Sequence, residues 1–434
     1  MQEGFLQYIW SLQYFSRVDL RTTDGETVDV FDPGMLNTHA GPDFSNARIK
    51  IGKLQWIGNV EIHLHSSGWA SHHHSDDPSY DSVILHVVWT DDRPVTRKDG
   101  TRLPTVELKG RVEEGLIRNY RQLIRSAFQV PCQKRLYAVE PVVTAAMTAR
   151  SLAQRIERKA DEVLALLQLN DGDWEETTYQ LLAGAFGFKV NRDPFLQLAR
   201  MLPLKLLRKH DQGIQQEALL FGQAGLLESP RGDKYYLDLR KEYQLLCHKY
   251  QLENTRLAAS QWKFLRLRPP NFPTLRIAQF SAMVGSRPAL FANLSEARRL
   301  DDLLEFFSVE TSAYWSGHYR FSVVSARTSH ELGRDSVEII ITNTVVPLLA
   351  AYGQRAGQPE YMDRALQMLE LLPAEWNSIT QRWADLGRQA QNAGEAQGQI
   401  ELFNTFCQRK RCLECGIGAS LLRPARNEPG TPHT

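Results

Sequence analysis

The spacing of apolar residues changes once along this chain, near residue 130, and two parts that obey different periods must fold as differently built regions. From Thr23 to about Leu108 the runs ETVDVFD, NARIKIG, LQWIGNVEIHLH, SVILHVVW and LPTVEL alternate or stay briefly apolar, with TTDG, DPGM and RKDG between them. That is strand and turn chemistry. After Pro141 the run TAAMTARSLAQRIERKADEVLALLQL places apolar residues three and four apart among strong helix formers, and helix dominates from there. The expected fold class is therefore α+β. An N-terminal α/β domain occupies 1–130, a mostly helical domain 131–422, and a disordered tail 423–434.

At 434 residues the chain exceeds one ordinary core of ~150 residues. Its 42% hydrophobic and 23% charged residues fit a globular protein. The first fifteen residues read as an amphipathic helix without the basic start of a signal peptide, and no uninterrupted apolar run reaches membrane length. Five cysteines, an odd number, argue against a disulfide framework, so the cytoplasm is the expected location. A net charge of +1 exerts no global pull on polyanions, and a nucleic-acid surface would have to be a local patch.

Within the strand region, Glu61 and His63 share one face of a strand and Val60 and Ile62 the other. Asp43 lies nine residues before Gly52 and Glu61 nine after it, so a hairpin turning at Gly52-Lys53 brings the two carboxylates opposite each other. Paired carboxylates suit a hard divalent cation, Mg²⁺ or Mn²⁺. The plainer reading makes Asp43 a turn cap after Pro42 and Glu61 a polar-face strand residue.

Pro42, Asp43, Glu61 and Ile62 resemble the signature of the PD-(D/E)xK nuclease superfamily, with His63 where that family carries lysine. The resemblance implies a restriction-endonuclease-like fold, metal held by Asp43 and Glu61, and hydrolysis of phosphodiester bonds in DNA or RNA. It also implies an extra acid on the opening helix, here Glu3. His63 would act as base or additional ligand. The substituted lysine equally suits a non-catalytic adaptor for nucleic acid or protein on a degenerate nuclease fold.

Two other constellations offer ligands. His63 and His65 on one strand face form a pair for a transition ion, while His72, His73 and His74 read as a solvated loop and His86 as a buried strand histidine. Cys407, Cys412 and Cys415 fall within nine residues, and Cys132 offers a distant fourth ligand for Zn²⁺ or an iron–sulfur cluster. This layout is similar to iron–sulfur nucleases of bacterial recombination complexes. Cys247 reads as a small buried hydrophobe.

In the helical region, WKFLRLRPPNFPTLRIAQF interleaves Arg266, Arg268 and Arg276 with aromatic residues, a pattern for phosphate and base contact. Arginine stems laid over buried aromatics give the same pattern. Through LNTHAGPDFSNARIKIG, GNVEIH, LRLRPPNFPTLRIAQ and KRCLECGIG the chain resembles an uncharacterised bacterial family carried as a domain of unknown function.

Overall fold

The computed structural model describes residues 1–210, 213–325 and 331–423; most of the tail expected at 423–434 lies outside them. Two compact units emerge, one formed by Met1–Met147 with the segment from Leu402 onward, the other by Thr148–Glu401. The division therefore falls later than residue 130, and the cysteine segment belongs with the sheet rather than with the helices. Hydrogen bonds give the reason. Lys410 Nζ donates to the Ile124 carbonyl, and Asn119 Nδ2 donates to that of Leu421.

The first unit is a six-stranded mixed sheet with strands β1 (Val28–Asp32), β2 (Met35–Leu36), β3 (Phe44–Ile51), β4 (Leu54–His65), β5 (Val83–Thr90) and β6 (Thr105–Glu107). They lie in the order β1-β3-β4-β5-β6, with β2 beside β3. The β3–β4 pair is an antiparallel hairpin, and β4–β5 and β5–β6 are parallel. A parallel step needs a crossover. Between β4 and β5 it includes the short helix α2 (Gly68–Ser71) and two 3₁₀ turns.

Helix α1 (Glu3–Ser11) buries Phe5, Leu6, Ile9 and Trp10 and packs on β4. Phe5 stacks on Tyr120 of α3 (Glu114–Ile124), with ring centroids 3.8 Å apart. In β4, all four residues from Val60 to Ile62 and His63 are buried although two are polar, as expected of a strand covered on both faces. The polar pair needs internal partners, which sets up the site.

The second unit is mostly helical, entered at Thr148 within α4 (Pro141–Leu169). Its core runs from Ile156 to Ala393 and includes Tyr179, Phe221, Phe280 and Trp315. Asp173 and Asp233 cap the helices Trp174–Phe186 and Lys234–Tyr250 by accepting from first-turn amides. The continuous helical run Arg334–Ala356 is long and apolar enough to cross a membrane, but 72% of its 18-residue apolar window is buried inside the protein.

Candidate metal centre

The carboxylate pair depends on a fault in the hairpin. Near the turn Ile51 faces Leu54 and Ala47 faces Gly58, but past Ser45 and Asn46 the ladder resumes with Phe44 opposite Val60. This bulge slips the register by one residue, and Asn46 absorbs it with a left-handed backbone, φ 58°. Without the slip Asp43 would oppose Ile62, and Glu61 would lie on the other face. With it, the two acids lock reciprocally: the Asp43 amide donates to Glu61 Oε2 and the Ile62 amide to Asp43 Oδ2, each at 3.1 Å. Gln7 Nε2 on α1 donates to Asp43 Oδ1 at 2.8 Å.

Two imidazoles close on Glu61, and a third closes on them. His63 Nε2 lies 3.7 Å and His74 Nε2 3.3 Å from Glu61 Oε1, and His63 Nε2 lies 3.1 Å from His72 Nδ1. The ligating atoms of His63, His72 and His74 all fall within 4.8 Å of one another. His74 was expected in a solvated loop with its neighbours; instead it is buried, and the exposed His72 also turns toward His63. The cause is His73, whose left-handed φ of 57° ends the α2 turn and sends its own side chain outward. Close approach by α2 requires Gly68, because a Cβ there would lie 2.7 Å from the His63 ring. Tyr80 stacks on His74 at 3.8 Å and Trp69 meets it edge-on, so the ring is fixed.

Behind the cluster, His63 Nδ1 pairs with Nε2 of His86, a fully buried β5 residue, at 2.9 Å. If that nitrogen of His63 carries the proton, Nε2 presents a lone pair to the cluster, the tautomer a metal ligand needs. His65 is exposed and stands outside the group of three, so the partners of His63 come from the crossover and not from its own strand.

Electrostatics follow from burial. Loss of water, the neighbouring Asp43 and the more remote Glu3 push the Glu61 carboxyl up to about 8, against the Asp43 amide that lowers it. Asp43 is raised by burial and by Glu3, with Gln7 and the Ile62 amide pulling the other way. Burial lowers His63 to about 3, His74 to about 4 and His86 to about 3, with neighbouring imidazoles adding to each shift. Burial thus favours the neutral forms of His63, His74 and His86, and burial together with mutual repulsion favours the protonated forms of the two acids. His74 Nε2 is buried without a hydrogen-bond partner. Imidazole and carboxylate donors at this spacing fit a transition ion, Mn²⁺ or Zn²⁺, better than Mg²⁺.

A family model described as a protein of unknown function (DUF2851) matches residues 3–378. The chain belongs to that family. Neither a curated protein nor a solved structure matches it.

In this DUF2851 member the arginine patch of the helical unit is split between core and surface. Arg276 is 3% exposed, lies over the Phe188 ring and donates to Gln279, Asn271 and Ser336, so it is a core residue unable to reach a phosphate. Burial lowers its guanidinium to about 10. Trp262 and Phe280 are buried too, whereas Arg266 and Arg268 are exposed and Phe264 and Phe272 are half-buried beneath Arg320. An unanticipated basic surface lies on α3. Arg118, Arg121 and Arg125 are exposed on one helix face, and the last two line a groove with Gln2, the residue before Glu3. Their spacing of three and four is visible in the sequence, where Tyr120 is the one aromatic among them.

Proposed function

We propose that this chain is a metal-dependent hydrolase of phosphodiester bonds in nucleic acid. The observation that carries the reading is the meeting of Glu61, locked to Asp43, with His63 and His74, which His72 joins. Glu61 and the three imidazoles would hold the ion. A bound Mn²⁺ or Zn²⁺ would supply phosphoryl polarisation and an acidified water.

The chain's own groups do the rest. Asp43, oriented by Gln7 and the Ile62 amide, keeps negative charge beside Glu61 and sharpens the site's preference for cations. His86 fixes the tautomer of His63 and acts as a positioning residue. Glu3 adds charge from α1. Arg118, Arg121 and Arg125 supply the local basic surface that a neutral chain requires to engage a polyanion. A PD-(D/E)xK-like arrangement is supported by a Pro-Asp at the start of a hairpin whose second strand carries the acid and then pairs in parallel.

The test is cleavage of labelled single- and double-stranded DNA and RNA by the full chain with Mn²⁺, Zn²⁺ or Mg²⁺, beside Asp43→Asn and Glu61→Gln. Cleavage lost in both variants supports the proposal. Cleavage that persists in them, or nucleic acid bound but never cut with any ion, overturns it, the second outcome favouring the adaptor.

A further inference from the structure

A second cluster of soft ligands lies in the first unit, in elements separate from the histidines. Cys132, Cys407, Cys412 and Cys415 are between 7% and 9% exposed, although two segments nearly three hundred residues apart in the chain supply them. Each occupies a break in backbone structure. Cys132 caps the 3₁₀ helix Gln133–Ala138, Cys407 ends the π-helix Leu402–Cys407, Cys412 lies in the following turn, and Cys415 caps the helix Gly416–Leu422.

Those breaks are tied together. The helices behind Cys132 and Cys415 pack on each other, and Arg135 joins them by donating to Asn119 Oδ1 and to the Leu421 carbonyl. Gly418 permits the approach, since a Cβ there would lie 2.1 Å from the Cys412 carbonyl oxygen. Three of the cysteines fall within nine residues of one another, and the packing of the helix after Cys132 on the helix after Cys415 brings the fourth to their segment. Cys247, by contrast, sits alone in a helix of the second unit. Among the described residues no disulfide is formed.

We infer that Cys132, Cys407, Cys412 and Cys415 form a four-thiolate metal site, for Zn²⁺ or the iron of an iron–sulfur cluster, that clasps the C-terminal segment onto the sheet unit. Four sulfurs are a complete tetrahedral set, which marks a structural rather than a catalytic centre. Each thiol gives its proton to solvent as the metal enters. This site is independent of the histidine centre.

The experiment uses the full chain purified without oxygen. Metal and acid-labile sulfide are measured, then the protein is stripped and reloaded with Co²⁺, or with iron and sulfide. Wild type and Cys247→Ser are expected to carry stoichiometric zinc, or iron with sulfide and its visible absorption, and to regain a thiolate-to-metal charge-transfer band. Cys412→Ser/Cys415→Ser loses that band, while any metal at the histidines gives none. Should this variant fail to fold, titration of wild type with a mercurial replaces it: metal is released only as the thiols react. Absence of the band from reloaded wild type, its survival in the double variant, or metal release that precedes thiol modification overturns the inference.

Discussion

Both units bury a glutamate, and the two are treated in opposite ways. Glu217 of the helical unit, 4% exposed, accepts from the Tyr235 hydroxyl and, at 3.3 Å, from Trp315 Nε1, with Ser312 beside them. Its neighbours are donors. Glu61 of the sheet unit, equally buried, faces Asp43, the charge of Glu3 and two imidazole nitrogens, one of them lacking a hydrogen-bond partner. A buried carboxylate ringed by donors is complete, whereas one ringed by acids and lone pairs holds a proton that a cation could replace. Burial alone therefore separates nothing; the sign and number of partners distinguish structure from site.

That contrast can be broken most directly at the histidines. His63→Ala/His74→Ala should weaken Mn²⁺ binding by more than about 100-fold, beyond the range seen when outer partners alone are lost. Isothermal titration of the full chain measures this, and Mn²⁺ is chosen because thiolates compete poorly for it. Glu217→Ala should leave Mn²⁺ affinity unchanged yet cost about 2 kcal/mol of stability, because buried donors lose their acceptor. Denaturant unfolding reports it. A matching loss of metal affinity in that variant would erase the distinction between the two glutamates.

His86→Ala sharpens the comparison within the site. It touches no proposed ligand atom facing Glu61, so a drop of about 10-fold in Mn²⁺ affinity would mark it as orienting His63. A smaller effect concerns pH. Burial raises the Glu217 carboxyl above its ordinary 4.5, so the folded chain holds that proton more tightly than the unfolded one. Its contribution is present below pH 4.5 and is lost as pH rises through the folded value. Stability curves of wild type and Glu217→Gln should diverge in that direction; parallel curves would show that its donors cancel the burial. Smallest is Arg121→Ala, which should lower the salt slope of nucleic-acid binding by about 1, while Arg266→Ala should not alter it.

Much of the site could be read before folding. The Gly52-Lys53 turn and the symmetric placement of Asp43 and Glu61 about it pointed to a carboxylate pair. That arithmetic reached the observed opposition without the bulge that makes it possible, because a two-residue turn with a regular ladder would have missed by one. The contribution of His72 and His74 was hidden, since three consecutive histidines in a polar loop carry no periodicity and their direction depends on the φ of His73. Arg276 misled for a related reason: a guanidinium beside aromatics looks alike at a surface and in a core, and only burial tells them apart.

By itself the sequence determined the periods, and with them a strand-rich first part, a helical second part and the turn that pairs two acids, because these depend on neighbours within a few residues. Only tertiary structure decided which side chains share a point. It took the left-handed residues Asn46 and His73 to turn Asp43 and His74 inward, and the return of the chain after Glu401 to bring three cysteines to Cys132. Such meetings are fixed by backbone geometry and long-range packing, which no local pattern of residue types encodes.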